Sequence, residues 1–117
     1  MTLNLQEFCQ SKNLSLLKIK SFQENQFVKE KIANVLGKNI WLGAKAQEGG
    51  KWKWFNESVE WTPNDLFNDP YVFQNWKGGE PNNYGGVQED CLVMNVHGFW
   101  EDHPCTNKYP FVCKYTF

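Results

Sequence analysis

Neither sign of charge is in excess: Lys and Arg total 12 against 13 Asp and Glu, a formal net charge of −1. That balance leaves no broad basic footprint for nucleic acid or an anionic membrane. No run approaches the ~20 apolar residues of a membrane span, so no direct membrane insertion is expected. No apolar signal core is visible either, because Asn4, Gln6, Glu7, Lys12 and Lys18 interrupt the first residues. Low-complexity linkers and internal repeats are missing, so residues 1–117 read as one domain. The cysteines form no C-x2-C pair, which argues against a thiolate zinc site. No Ser/His/Asp or Cys/His arrangement is apparent, and no enzyme is expected.

What is present points to a packed, oxidised domain. The chain is 41% hydrophobic and 16% aromatic, too rich in large apolar groups for disorder. Its 4 cysteines, Cys9, Cys91, Cys105 and Cys113, suit two disulfides and a secreted or extracellular setting. Spacing alone leaves three connectivities open. Asn13-Leu14-Ser15 and Asn56-Glu57-Ser58 are sequons, a weak further sign of a secretory route.

Residues 3–12 read as a short helix, and Leu14 to Ile19 as an extended segment with Leu14, Leu16 and Leu17 inward. Residues 22–36 form the clearest helix. Ser21 can cap it, Glu24 completes a capping box, and Gly37 can stop it. Phe27, Val28, Ile32, Val35 and Leu36 predict its apolar stripe. Ile40–Gly43, Lys51–Trp54, Leu92–Val96, a strand from Gly98 and Phe111–Tyr115 read as strands, with a turn at Gly49-Gly50. Residues 56–90 read as a long loop, which in a small domain is usually functional. Helices first and strands afterwards make the fold class α+β. The six Trp residues are expected mainly as core and loop anchors.

The candidate chemistry lies between residues 80 and 102, in Glu80-Pro81-Asn82, Glu89-Asp90-Cys91 and Trp100-Glu101-Asp102. Clustered carboxylate and amide oxygens suit calcium, which takes about 6–8 oxygen ligands. Glu80 and Glu89 also offer the carboxylate pair of a glycosidase, but carboxylates bound to a cation are poor proton donors.

These motifs occur in the order found in C-type lectin-like domains, and the chain resembles that family over nearly its whole length. The matching stretches are Cys9 in a first helix, Ser21–Asn25, Ile40–Gly43, Asn75-Trp76, Gly79–Asn83, Glu89–Cys91, Gly98–Asp102, Cys105 and Phe111–Cys113. The resemblance implies the pairings Cys9–Cys113 and Cys91–Cys105, and a C-type lectin fold with a long calcium-binding loop region. It implies one principal Ca2+ held by Glu80, Asn82, Glu89, Glu101 and Asp102, the same residues meeting the carbohydrate. A cis Pro81 is implied as well. Glu-Pro-Asn marks mannose-type selectivity in the family, so the implied partners are glycans ending in mannose, N-acetylglucosamine, glucose or fucose. Homo-oligomers or a larger receptor would supply avidity.

The chain departs from the family pattern in several places. Glu101 replaces the usual Asn and, when ionised, cannot donate a hydrogen bond. The segment Ala44–Glu48 lacks the aspartate of an auxiliary calcium site, so one ion is expected. The span from Asn82 to Glu89 is slightly long, and Asn83 stands where an Asp is common. The usual N-terminal strand is missing, which leaves the sheet edge near Val112 for another chain or for solvent. Tyr84 and His103 are candidate flanking contacts, and His97 reads as a turn residue. The alternative function is calcium-independent recognition of a protein or another non-sugar surface.

Overall fold

The computed structural model describes residues 2–63, 73–81 and 90–115. Helix α1 (Thr2–Ser11) buries Cys9, which is bonded to Cys113 with Cα atoms 5.5 Å apart. Phe8 is exposed, although its ring meets Phe111 edge-on. After α1, strand β1 (Ser15–Leu16) pairs antiparallel with β7 (Cys113–Lys114), which brings the two ends of the domain together. The inward residues of this segment are Leu16, Leu17 and Ile19, while Leu14 is half-buried. The buried Gln6 side chain accepts from the Leu16 N–H at 2.9 Å and holds α1 on this segment.

The second helical region starts as expected. Ser21 Oγ accepts from the Glu24 N–H at 3.1 Å, and Glu24 reaches back to the Lys20 N–H at 3.0 Å. That is a capping box displaced by one residue on its return arm. The region then divides into α2 (Phe22–Val28), a π-turn (Lys29–Ala33) and α3 (Asn34–Leu36). Gly37 ends it in the left-handed region at φ 65°. The expected stripe is only partly correct. Val28 is buried and Ile32 packs on the core, but Phe27, Val35 and Leu36 are exposed. The buried face instead runs Asn25, Val28, Ala33. Phe27 lies in the regular first part of the helix, off the Asn25–Val28 face; beyond Val28 the physical reason is the π-turn, whose i→i+5 bonding moves the inward position from 32 toward 33.

A five-stranded antiparallel sheet has the order β4-β3-β2-β5-β6. Its strands are β2 (Ile40–Ala46), β3 (Trp52–Trp54), β4 (Glu60–Trp61), β5 (Cys91–Met94) and β6 (Trp100–His103). β3 alternates buried, half-buried, buried, as its Trp-Lys-Trp pattern predicts. β4 lies inside the stretch read as loop, because a two-residue strand carries no detectable period. β5 ends at Met94, so Asn95 and Val96 belong to the turn rather than the strand. Phe111 contributes a single bridge to Trp41, which shortens the last strand.

β2 crosses β1 closely at Gly43. A Cβ there would stand 2.7 Å from the Leu16 carbonyl oxygen, so glycine is required. The main core joins Leu17, Ile19, Val28, Ile40 and Leu42 to Trp52, Trp54, Trp61 and Trp100. A smaller cluster of Trp41, Cys91 and Val93 lies beside Cys105, Tyr109 and Phe111. The tryptophans act as core and loop anchors: Trp76 and Phe73 pack against Trp100 with ring centroids 6.2 and 5.8 Å away. Asn25 locks α2 to this core, accepting from Trp100 Nε1 at 2.9 Å and donating to the Gly98 carbonyl at 3.0 Å. Among the described residues no helix is long and apolar enough to cross a membrane.

Candidate functional site

The segment carrying Glu80 is fastened to the start of β6. Asn75 donates to the Gly98 carbonyl at 2.6 Å. The Trp100 N–H reaches the Asn75 carbonyl at 2.8 Å, and the Lys77 N–H reaches the Trp100 carbonyl at 2.9 Å. A tight turn follows, with the Glu80 N–H on the Lys77 carbonyl at 2.9 Å and Gly79 at φ 85°. The Glu80–Pro81 peptide is cis, as the resemblance implied.

This path sets Glu80 against β6. Its carboxylate accepts from the Asp102 N–H at 3.4 Å. Asp102 itself is 1% exposed. Burial first, and then the neighbouring Asp102 carboxyl, push the Glu80 carboxyl up to about 8. The second disulfide, Cys91–Cys105, closes the region at the start of β5, with Cα atoms 5.2 Å apart. The Asp90 carbonyl accepts from the Ala46 N–H at 2.9 Å, so Asp90 borders the site as a structural neighbour. A cleft lined by Gln47, Lys51, Pro81, Asp90 and Asp102 opens beside the pair.

The two faces of β6 carry different chemistry. Register places Asp102 opposite Leu92 and Trp100 opposite Met94, on the main-core face. Glu101 lies opposite Val93 and His103 opposite Cys91, on the face of the smaller cluster. There Glu101 Oε2 accepts from Asn95 Nδ2 at 2.7 Å, and Oε1 meets His103 Nε2 at 2.9 Å. His103 Nδ1 in turn meets the Tyr109 hydroxyl at 2.7 Å. Burial opposes ionisation of Glu101, but the bonds from His103 and Asn95 outweigh it and hold the carboxyl below its usual range.

Of the five expected ligands, the structure joins Glu80 to Asp102 and turns Glu101 to the opposite face. Asn82 and Glu89 lie outside the described residues, as do Asn83 and Tyr84. Among the described residues no three His, Cys, Asp or Glu side chains form a metal-binding group. The described part of the donor set nonetheless fits a hard divalent cation. Two carboxyl groups meet in a partly desolvated place, and one is driven to keep its proton at neutral pH, a strain that a bound cation relieves. Asn95 and Tyr109 were not singled out from the sequence. The Asn95–His97–Gly98 turn chemistry was a usable signal for Asn95, whereas nothing local marks Tyr109.

Residues 2–115 match the Lectin C-type domain family. Rat asialoglycoprotein receptor 1 is 31% identical over 112 residues, covering 92% of this chain and 35% of that protein. The chain therefore spans about a third of the length of that relative. The carbohydrate-recognition domain of mouse scavenger receptor C-type lectin superposes with a TM-score of 0.75 at 28% identity, covering 97% of this chain and 80% of that one. The cow CD23 C-type carbohydrate-recognition domain, solved in the presence of a GlcNAc2Man3 oligosaccharide, gives 0.72 at 25% identity, covering 95% and 76%. Domains of this family bind and do not catalyse. With helices, sheet order, both disulfides and a match running from residue 2 to residue 115, this chain belongs to the C-type lectin domain family.

Proposed function

We propose that the domain binds glycans through one calcium ion, with mannose-type selectivity, in a secreted or extracellular protein. The observation that carries this reading is the Glu80 carboxylate turned onto buried Asp102 beside the Glu-Pro-Asn triplet. Glu80, Asn82, Glu89 and Asp102 would hold the ion. Calcium, when bound, supplies a hard charge to which two vicinal hydroxyls can add in place of water. Glu80 and Glu89 accept hydrogen bonds from those hydroxyls, and Asn82 donates one. Equatorial 3- and 4-hydroxyls, as in mannose, N-acetylglucosamine and glucose, suit this order of acceptor and donor, and fucose presents an equivalent pair. So small a contact binds one sugar weakly, and avidity from oligomers or a larger receptor raises the effective affinity.

The test is calorimetric titration of calcium, then of mannose and galactose into the loaded protein. Heat with mannose and none with galactose is expected. The second reading, calcium-independent recognition of a non-sugar surface, is favoured by one observation: Glu101 already spends its oxygens on Asn95 and His103. Absence of calcium heat would turn the assignment to that reading.

A further inference from the structure

Glu101 occupies a position from which a side chain is expected to reach the ion, yet three features direct it elsewhere. Adjacent residues of an extended strand point to opposite faces. On β6, Trp100 and Asp102 are buried on the main-core face, and Glu101 and His103 are half-buried on the other. The second feature is that the partners of Glu101 are themselves fixed. Asn95 Oδ1 accepts from the His97 N–H at 2.9 Å and the Phe99 N–H at 3.1 Å, which locks the β5–β6 turn and aims Nδ2 at Glu101. Third, the chain of bonds is complete and self-consistent. An ionised carboxylate only accepts, so His103 Nε2 carries the proton given to Glu101. In the neutral ring His103 Nδ1 then accepts from the Tyr109 hydroxyl, whose oxygen receives Asn107 Nδ2 at 3.2 Å. Freeing Glu101 for an ion would break two charge-assisted hydrogen bonds and leave Asn95 and His103 without their acceptor.

We infer that Asn95 and His103 are positioning residues that hold the Glu101 carboxylate on the Val93 face of β6, outside the ligand set of the ion. The inference rests on the proposed function. It takes residue 101 out of the proposed ligands and removes it as a donor to sugar.

The experiment compares calcium calorimetry of the wild type, Glu101→Ala and Glu80→Gln, with nitrogen NMR of the His103 ring before and after calcium. Glu101→Ala is expected to keep calcium affinity within about threefold, while Glu80→Gln loses at least about tenfold. The His103 ring signals should move in Glu101→Ala and in Asn95→Ala, and should stay unmoved when calcium is added to the wild type. A wild type that binds calcium while Glu101→Ala loses about tenfold or more overturns the inference and leaves the proposed function standing. Calcium-driven movement of the His103 signals in the wild type overturns it too. A wild type that takes up no calcium removes the proposed function and this inference together.

Discussion

The Asp102 N–H donates to the Glu80 carboxylate at 3.4 Å, tying the strand β6 to a turn 22 residues earlier in the chain. The contact puts two carboxyl groups together in a place where burial and mutual repulsion favour the protonated form of Glu80. Glu80→Gln keeps the size of the side chain and takes away the carboxyl that would give up its proton to a cation. Calcium affinity is expected to fall about tenfold or more, which is at least about 1.4 kcal/mol, while the melting temperature in chelator holds or rises. Calorimetry in both senses, titration and scanning, checks this. A lower melting point in chelator would show the Glu80 carboxyl to be structural.

Stability in chelator should depend on pH in a direction set by Glu80. Its folded value, about 8, lies above the ordinary 4.5, so between these values the folded state binds more protons than the unfolded state. Stability from this group is therefore full below 4.5 and declines as pH rises toward about 8. Calcium binding runs the other way, since the ion competes with the proton, and affinity should rise across the same window. Melting curves at several pH values, with chelator and with calcium, would display opposite slopes. Parallel slopes would sink the linkage.

Asn25 is 1% exposed and bridges Trp100 Nε1 and the Gly98 carbonyl. Asn25→Ala strands a buried indole N–H and removes a tie between α2 and the β5–β6 turn. Each abandoned buried partner costs about 1–3 kcal/mol, so a clear drop in the urea midpoint is expected. An unchanged midpoint would mean that water takes up the Trp100 indole N–H, since the Gly98 carbonyl keeps the bond from Asn75.

The two disulfides should contribute unequally. Cys9–Cys113 closes 104 residues and Cys91–Cys105 closes 14. On the chain-entropy account these correspond to about 5 and about 3 kcal/mol. Paired Cys→Ser replacement at positions 9 and 113 should therefore lower the melting temperature more than replacement at 91 and 105. The second replacement should instead act mainly on calcium affinity, because that bridge borders Asp90 and Asp102. The reverse ranking of melting temperatures would refute the entropic account for this domain.

Local chemistry made much of the fold legible. Ser21 and Glu24 announce the start of α2 through side chains that bond within a few residues, and Gly37 announces its end through its own backbone freedom. Trp52-Lys53-Trp54 shows its strand by alternation. The two-residue β4 was illegible because its pairing with β3 is the only thing that makes it a strand.

By itself, the sequence determined the order of the helices and of the strands other than β4, the oxidised cysteine framework, the family and the oxygen-rich residues. All of these are written in residue type and spacing, which do not change on folding. Tertiary structure decided which side of each element those residues occupy. The π-turn shifted the buried face of the second helical region to Ala33, while Asn25 bonds Trp100 and the Gly98 carbonyl across the fold. On β6 the strand's period of two parted the neighbours Glu101 and Asp102, and distant partners, Asn95 on one face and Glu80 on the other, set what each carboxylate does. Those partners meet only when the chain has folded, so no local pattern could assign the roles in advance.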